Sequence, residues 1–244
     1  MRRAQPRPTC SPAPSQTSSP NWHSLRPGGS SGISSQPNSS GARTEKQPPR
    51  RRVNLPLRIL IGVDGTLSDL LSTWLGIYNL KYHDSIEPKH ILTWDTDKYV
   101  KCGDKIYDLL PEAFQLAAPL PGARWAVDTL RSQGHDLYAV TATSHKKTAN
   151  IIAKAKWLAY HFPDFDPEHV AFFHAKHLIK AHVLVDDCPA NLVAYRRAWP
   201  QAWLATIPYP YNRHMDNTVD LRPLRPPPGA WEDIVKGITA LSRP

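Results

Sequence analysis

From Leu57 onward the apolar positions fall into two rhythms. Short, nearly unbroken runs at Leu57–Val63 (LRILIGV), Asp136–Thr141 (DLYAVT), His169–Phe173 (HVAFF), His182–Asp186 (HVLVD) and Ala202–Ile207 read as strands, the first of them buried. Between them lie segments with helical spacing. Pro121 in a first turn, Ala123, Val127 and Leu130 on one face and Gly134 as the stop predict a helix. A second is expected from about Lys147 to Tyr160, with Ile151, Ala155, Leu158 and Ala159 facing inward. Pro189–Trp199 and Ala230–Leu241 read as two more. Strands alternating with helices predict an α/β fold with a mainly parallel sheet.

The first strand is not followed by the usual short connection. Residues Leu67–Leu120 are rich in Trp and Tyr (Trp74, Tyr78, Tyr82, Trp94, Tyr99, Tyr107) and carry no strong strand pattern, whereas a βα loop typically has about 2–6 residues. They are expected to form a helical insert. The expected partition is therefore a leader over residues 1–52 and one domain over 53–244, with the insert at about 67–120. No internal repeat is visible.

Composition changes the picture mainly at the leader. Residues 1–52 hold nine Pro, eleven Ser, nine of the chain's 30 Lys/Arg and one of its 21 Asp/Glu, so they carry +8 of the formal +9. A segment so poor in apolar side chains is expected to be disordered. Its Arg- and Ser-rich composition also suits an organellar transit peptide, which the prolines oppose. With the domain nearly neutral, a nucleic-acid-binding face is not expected. The apolar runs are too short for a membrane helix, and the first ten residues lack the apolar stretch of a secretory signal. Cys10, Cys102 and Cys188 are too scattered for a zinc cluster or a redox pair. A reducing, cytoplasmic setting fits best.

Candidate chemistry sits at the strand ends, where loops of an open parallel sheet converge. The first strand delivers Asp64-Gly65-Thr66, the second Thr141, the HVAFF strand is followed by Lys176, and the HVLVD strand ends in Asp186-Asp187. Singly, each has an ordinary structural reading: a turn, a helix cap, a solvated lysine, the opening of a loop. Together, carboxylates, a hydroxyl and an ammonium suit a divalent cation beside a phosphate. His145, His161, His169, His174, His177 and His182 lack ligand spacing on one helix face. The acidic neighbours of Cys188 are expected to disfavour its thiolate, so it is given no catalytic role.

These stretches, with Ile91-Leu92-Thr93-Trp94-Asp95, Pro119-Leu120-Pro121-Gly122-Ala123, Lys156-Trp157-Leu158 and Pro210-Tyr211-Asn212, resemble the haloacid dehalogenase-like phosphatase superfamily. Within it they are most similar to the 5'(3')-deoxyribonucleotidase branch and its phage and bacterial relatives, over about Arg58 to Leu241. The resemblance implies a Rossmann-like three-layer core, a small helical cap inserted after the first strand, Mg²⁺, and hydrolysis of nucleoside monophosphates through an aspartyl-phosphate.

By the same resemblance Asp64 corresponds to the general acid/base and, through its backbone carbonyl, to a metal ligand, and Thr141 and Lys176 to phosphate-binding groups. Gly65 and Thr66 correspond to backbone donors at the phosphate, and Asp186 and Asp187 to the metal-binding pair. The attacking aspartate of the family, two residues before Asp64, is here Gly62. Glycine can neither form the covalent intermediate nor ligate a metal. Activity is therefore expected to be weak or lost. A nucleotide-binding protein and a scaffold for partners of the leader remain alternatives, as do attack by water with Asp64 as base and a shifted register in which Asp64 itself attacks. Trp74 and Trp94 either stack on a base or pack the insert.

Overall fold

The computed structural model describes residues 55–143, 147–213, 215 and 230–243. The leader, and with it Cys10 and the expectations made for residues 1–52, lies outside the described residues, as does His145.

Five parallel strands form one sheet: β1 (Arg58–Gly62), β2 (Asp136–Thr141), β3 (Val170–Phe172), β4 (Val183–Val185) and β5 (Trp203–Ala205), in the order β3-β2-β1-β4-β5. In the central register Ile59 pairs with Leu137 on one side and Val183 on the other. β2 spans its whole run, whereas the other four strands are shorter than the runs that encode them, although backbone bonds continue beyond their ends, from His182 N to Arg58 O at 3.0 Å and from Asp186 N to Ala205 O at 3.1 Å. His169, Phe173, His182 and Asp186 thus flank strands without belonging to them. His182 instead accepts the Arg58 N–H on Nδ1 at 2.8 Å.

The alternation along β1 sorts the core into two layers. Ile59 and Ile61 join one cluster with Leu67, Val127, Leu130, Trp231 and Ile234, while Leu60 joins the other with Leu184, Leu192, Tyr195 and Leu204. All three β1 residues are fully buried, which is why LRILIGV shows no polar alternation. The fold is the expected α/β, Rossmann-like arrangement of a parallel sheet with helices on both faces.

Between β1 and β2 run α1 (Leu70–Tyr82), three 3₁₀ turns, α2 (Leu110–Leu116) and α3 (Ala123–Ser132). Trp74 ties this stretch together by donating its indole N–H to Ile106 O at 2.8 Å, and Trp157 does the same to Ala117 O at 2.7 Å. Pro121 precedes α3 instead of sitting in its first turn; the cap is Gly122, in the left-handed region at φ +81°.

The helix α4 (Thr148–His161) corrects the sequence expectation. Its buried stripe is Asn150, Ala153, Lys154, Trp157 and Leu158; Ala155 and Ala159 are exposed and Ile151 is only partly covered. The inward face carries two polar residues, so apolar spacing alone selects the wrong face. After it come α5 (Pro189–Ala198) and α6 (Ala230–Leu241), the latter with the predicted bounds. Among the described residues no helix is long and apolar enough to cross a membrane.

Candidate phosphoryl site

The carboxyl ends of β1, β2 and β4 lie side by side, and each delivers a short polar segment to the same place. After β1 the chain turns tightly: Leu67 N, Ser68 N and Ser68 Oγ all donate to Val63 O at 3.0 Å, and Thr66 N makes a longer bond of 3.4 Å to the same oxygen. Gly65 is required here. Its φ is +63°, and a Cβ at this position would run into the Asp187 carboxylate.

Asp64 projects toward β2 and α4. Its Oδ2 accepts from Lys154 Nζ at 2.6 Å and its Oδ1 from Thr141 Oγ1 at 3.3 Å. Lys154 also donates to Thr141 Oγ1 at 3.0 Å and Ala142 O at 2.7 Å, which uses all three of its N–H bonds. The side chain of Lys154 is only 4% exposed, against 35% for Asp64. Sequence reasoning missed this lysine. The available signal was an Asn150–Lys154–Leu158 spacing of four, which places a charge on the same face as a core leucine.

A second charged pair lies under β1. Lys176, in a 3₁₀ turn after β3, is buried and donates to Asp186 Oδ2. Burial alone would lower its affinity for a proton, but the adjacent Asp186 charge and hydrogen bond outweigh that and hold its pKa above the usual lysine value. A solvated surface lysine is therefore not what the structure contains. Asp186 Oδ1 accepts from Cys188 N at 3.0 Å and Asn191 Nδ2 at 2.9 Å, so both of its oxygens are engaged at the start of α5.

Asp187 is held by Tyr211, whose hydroxyl donates to Oδ2 at 2.6 Å. Burial and the neighbouring Asp186 charge raise its pKa well above the ordinary aspartate range. Cys188 is likewise pushed up, to about 11, chiefly by burial, with the acidic neighbours as a smaller cause. The expected suppression of the thiolate is present, but burial leads it.

Gly62 sits among these groups. A Cβ built on it would lie 3.0 Å from Thr66 Oγ1 and 3.1 Å from Asp186 Oδ2, so its neighbours close over the place where a side chain would begin. The Thr66 hydroxyl is fully buried and, among the described residues, has no hydrogen-bond partner; the same holds for Thr143, two residues past Thr141. An unpaired buried hydroxyl is costly, on the order of 1–3 kcal/mol, and marks a place where a partner is missing. All eight residues singled out from sequence, Gly62, Asp64, Gly65, Thr66, Thr141, Lys176, Asp186 and Asp187, belong to this one cluster.

Beside it opens a cleft of about 140 Å³, walled by Leu70, Leu71, Trp74, Trp94 and Tyr211 and floored by Asp64, Gly65 and Asp187. The two tryptophans differ. Trp74 is 6% exposed and hydrogen-bonded into the insert, whereas Trp94 is 46% exposed and meets Tyr211 edge-on at 5.3 Å. A larger cleft of about 440 Å³ lies between α2 and α4 around Phe114, Ile152 and Trp157, but no carboxylate lines it.

A family model described as 5' nucleotidase, deoxy (pyrimidine), cytosolic type C protein matches residues 56–223. The 5'(3')-deoxyribonucleotidase of Clostridium acetobutylicum is 36% identical over 140 residues, covering 56% of this chain and 76% of that protein. The 5'(3')-deoxyribonucleotidase of Bacillus subtilis is 31% identical over 139 residues, covering 56% and 79%. Among solved structures, a haloacid dehalogenase-like protein of unknown function from Agrobacterium tumefaciens matches with a TM-score of 0.48 at 13% identity, over 76% of this chain and 99% of its own.

Proposed function

Since the chain belongs to the family of 5' nucleotidases, deoxy (pyrimidine), cytosolic type C, within the haloacid dehalogenase-like superfamily, we propose that it binds the phosphoryl group of a deoxyribonucleoside monophosphate at the β1, β2 and β4 ends and that its hydrolysis is weak or lost. One observation carries the second half of this reading. Where the family's chemistry requires an attacking carboxylate there is Gly62, and its neighbours Thr66 and Asp186 crowd the place of even a Cβ.

The surviving groups suit binding. Lys176 neutralises charge, the Thr66 and Thr143 hydroxyls lack partners among the described residues, and Trp94 offers an exposed ring beside the cleft. Asp64 keeps the position of the general acid/base. On this reading residues 67–120 are a cap over the site, and the divalent cation of the family's chemistry would have to draw on Asp64, Asp186 and Asp187.

Without the covalent route, hydrolysis falls to water attacking phosphorus directly, one of the slowest uncatalysed reactions known. The test is a titration of the full chain with deoxyuridine monophosphate alongside an assay of phosphate release. Saturable binding with phosphate release slower than about 10⁻² s⁻¹ is expected, well under the ~10 s⁻¹ median for enzymes. Turnover near that median would overturn the loss of activity, and absence of binding would overturn the site. If neither binding nor turnover is found, the scaffold for leader partners is the reading that remains.

A further inference from the structure

We propose that this site, with Gly62 in place of a ligand and its carboxylates committed to Lys154, Lys176 and Tyr211, does not hold the family's divalent metal, so that a phosphoryl group is held here without Mg²⁺. The inference rests on the phosphoryl-binding reading above and deepens it.

The donor set does not fit a hard divalent ion. Mg²⁺ requires near-octahedral oxygen ligands, usually one or two free carboxylates with waters. Asp186 has both oxygens engaged, by Lys176, Cys188 N and Asn191, and its side chain is 1% exposed. The Asp64 carboxylate is shared between Lys154 and Thr141, which leaves only its backbone carbonyl as a donor, and Asp187 has one oxygen engaged by Tyr211. The remaining family ligand is missing, because Gly62 has no side chain. Among the described residues no three His, Cys, Asp or Glu side chains are arranged to hold a metal ion.

Charge balance explains why the loss of one carboxylate and the loss of the cation go together. Four carboxylates facing two ammoniums would leave two negative charges, which one divalent cation cancels. Before any phosphoryl group enters, three carboxylates facing the same two lysines leave one, and the Tyr211 hydroxyl covers that last carboxylate, Asp187. Each lysine then has its own partner, Lys154 with Asp64 and Lys176 with Asp186, as a buried ammonium needs.

The two lysines divide the work. Lys154 has all three N–H bonds committed and acts as a fixed counter-ion for Asp64. Lys176 has Asp186 as its one partner among the described residues, which leaves two N–H bonds for phosphoryl oxygens.

Mn²⁺ electron paramagnetic resonance on the full, nucleotide-free chain tests the cation directly. The expected result is no bound Mn²⁺ up to about 1 mM, the weak end of specific divalent sites; a site tighter than about 0.1 mM would overturn the proposal. Titration with deoxyuridine monophosphate in EDTA and in Mg²⁺ is the second arm. Affinities agreeing within about twofold are expected, and a loss of about tenfold or more in EDTA would overturn it. If the nucleotide binds in neither buffer, the phosphoryl-binding reading fails and the claim of metal-free phosphoryl binding fails with it, while the Mn²⁺ result still decides whether a metal resides in the site. Folded Lys154→Gln, which leaves the Asp64 charge uncompensated beside the site, is expected to gain Mn²⁺ affinity by about tenfold. Unchanged Mn²⁺ binding in that variant would contradict the role given to Lys154, and if the variant does not fold the two wild-type arms stand on their own.

Discussion

Lys154 Nζ lies 2.6 Å from Asp64 Oδ2, joining the middle of α4 to the turn after β1 across 90 residues of sequence. This pair fixes the orientation of both the carboxylate and the Thr141 hydroxyl between β1 and β2. Lys154→Met keeps the length of the side chain but leaves Asp64 and Thr141 without their shared donor. Because Asp64 is about one-third exposed, water recovers part of the loss, and the expected destabilisation is about 1–3 kcal/mol, short of the cost for a fully buried pair. Urea unfolding measures it; an unchanged midpoint would mean the contact does not hold in solution.

His135 makes the fold sensitive to acid at the opposite end of the sheet. Its Nδ1 accepts the Leu57 N–H at 3.3 Å, which requires an unprotonated nitrogen, and burial lowers its pKa below the usual 6.5. The unfolded chain therefore binds a proton first. The contribution from neutral His135 is complete above the unfolded value of about 6.5 and is lost as pH falls through it toward the lower folded value. Urea midpoints measured from pH 8 to pH 5 should drop for the wild type and drop less for His135→Asn, which retains an acceptor but no titration.

Gly65 meets a steric limit and a backbone limit together. At φ +63°, with the Asp187 carboxylate where a Cβ would go, Gly65→Ala is expected to cost about 1–3 kcal/mol and to displace Asp187 from Tyr211. Thermal unfolding checks the first effect. Tyrosine absorbance in an alkaline titration checks the second, since burial and the Asp187 charge hold the Tyr211 hydroxyl well above its ordinary pKa.

Trp94 and Trp74 should separate binding from stability. Trp94→Ala removes a half-exposed ring beside the cleft, so nucleotide affinity should fall by about 1–3 kcal/mol, the range for base stacking, with little change in melting temperature. Trp74→Phe loses the bond to Ile106 O and should lower stability by about 1 kcal/mol. The reverse pattern would mean that Trp94, not Trp74, packs the insert.

Much of this was legible in the chain because the signals were local. The unbroken run of Ile59, Leu60 and Ile61 announces a strand buried on both faces, and Ala230–Leu241 announces its helix through its own periodicity. The strand-end polar groups could be listed because parallel sheets deliver them to one edge. Lys154 escaped because its inward orientation is decided by a partner 90 residues away; its spacing of four to Leu158 puts it on a core face, but a lysine is almost never buried unless paired. Trp74 and Trp94 look alike in sequence; only the Ile106 carbonyl and the Tyr211 ring, both supplied by tertiary packing, tell them apart. The close approach of Thr66 and Asp186 to Gly62 is also a tertiary fact, since sequence shows a missing carboxylate but not how near its neighbours lie.

The most direct test is phosphate release from deoxyuridine monophosphate by the wild-type chain and by Gly62→Asp, in Mg²⁺. The new side chain has to move Thr66 and Asp186 by a few tenths of an ångström, so the full effect of a nucleophile, about 10⁶ in a protease, is not expected. A gain of about 10² or more over a nearly inactive wild type is the predicted result. A wild-type chain that already turns over at about 1–10 s⁻¹, with Gly62→Asp no faster, would contradict the account.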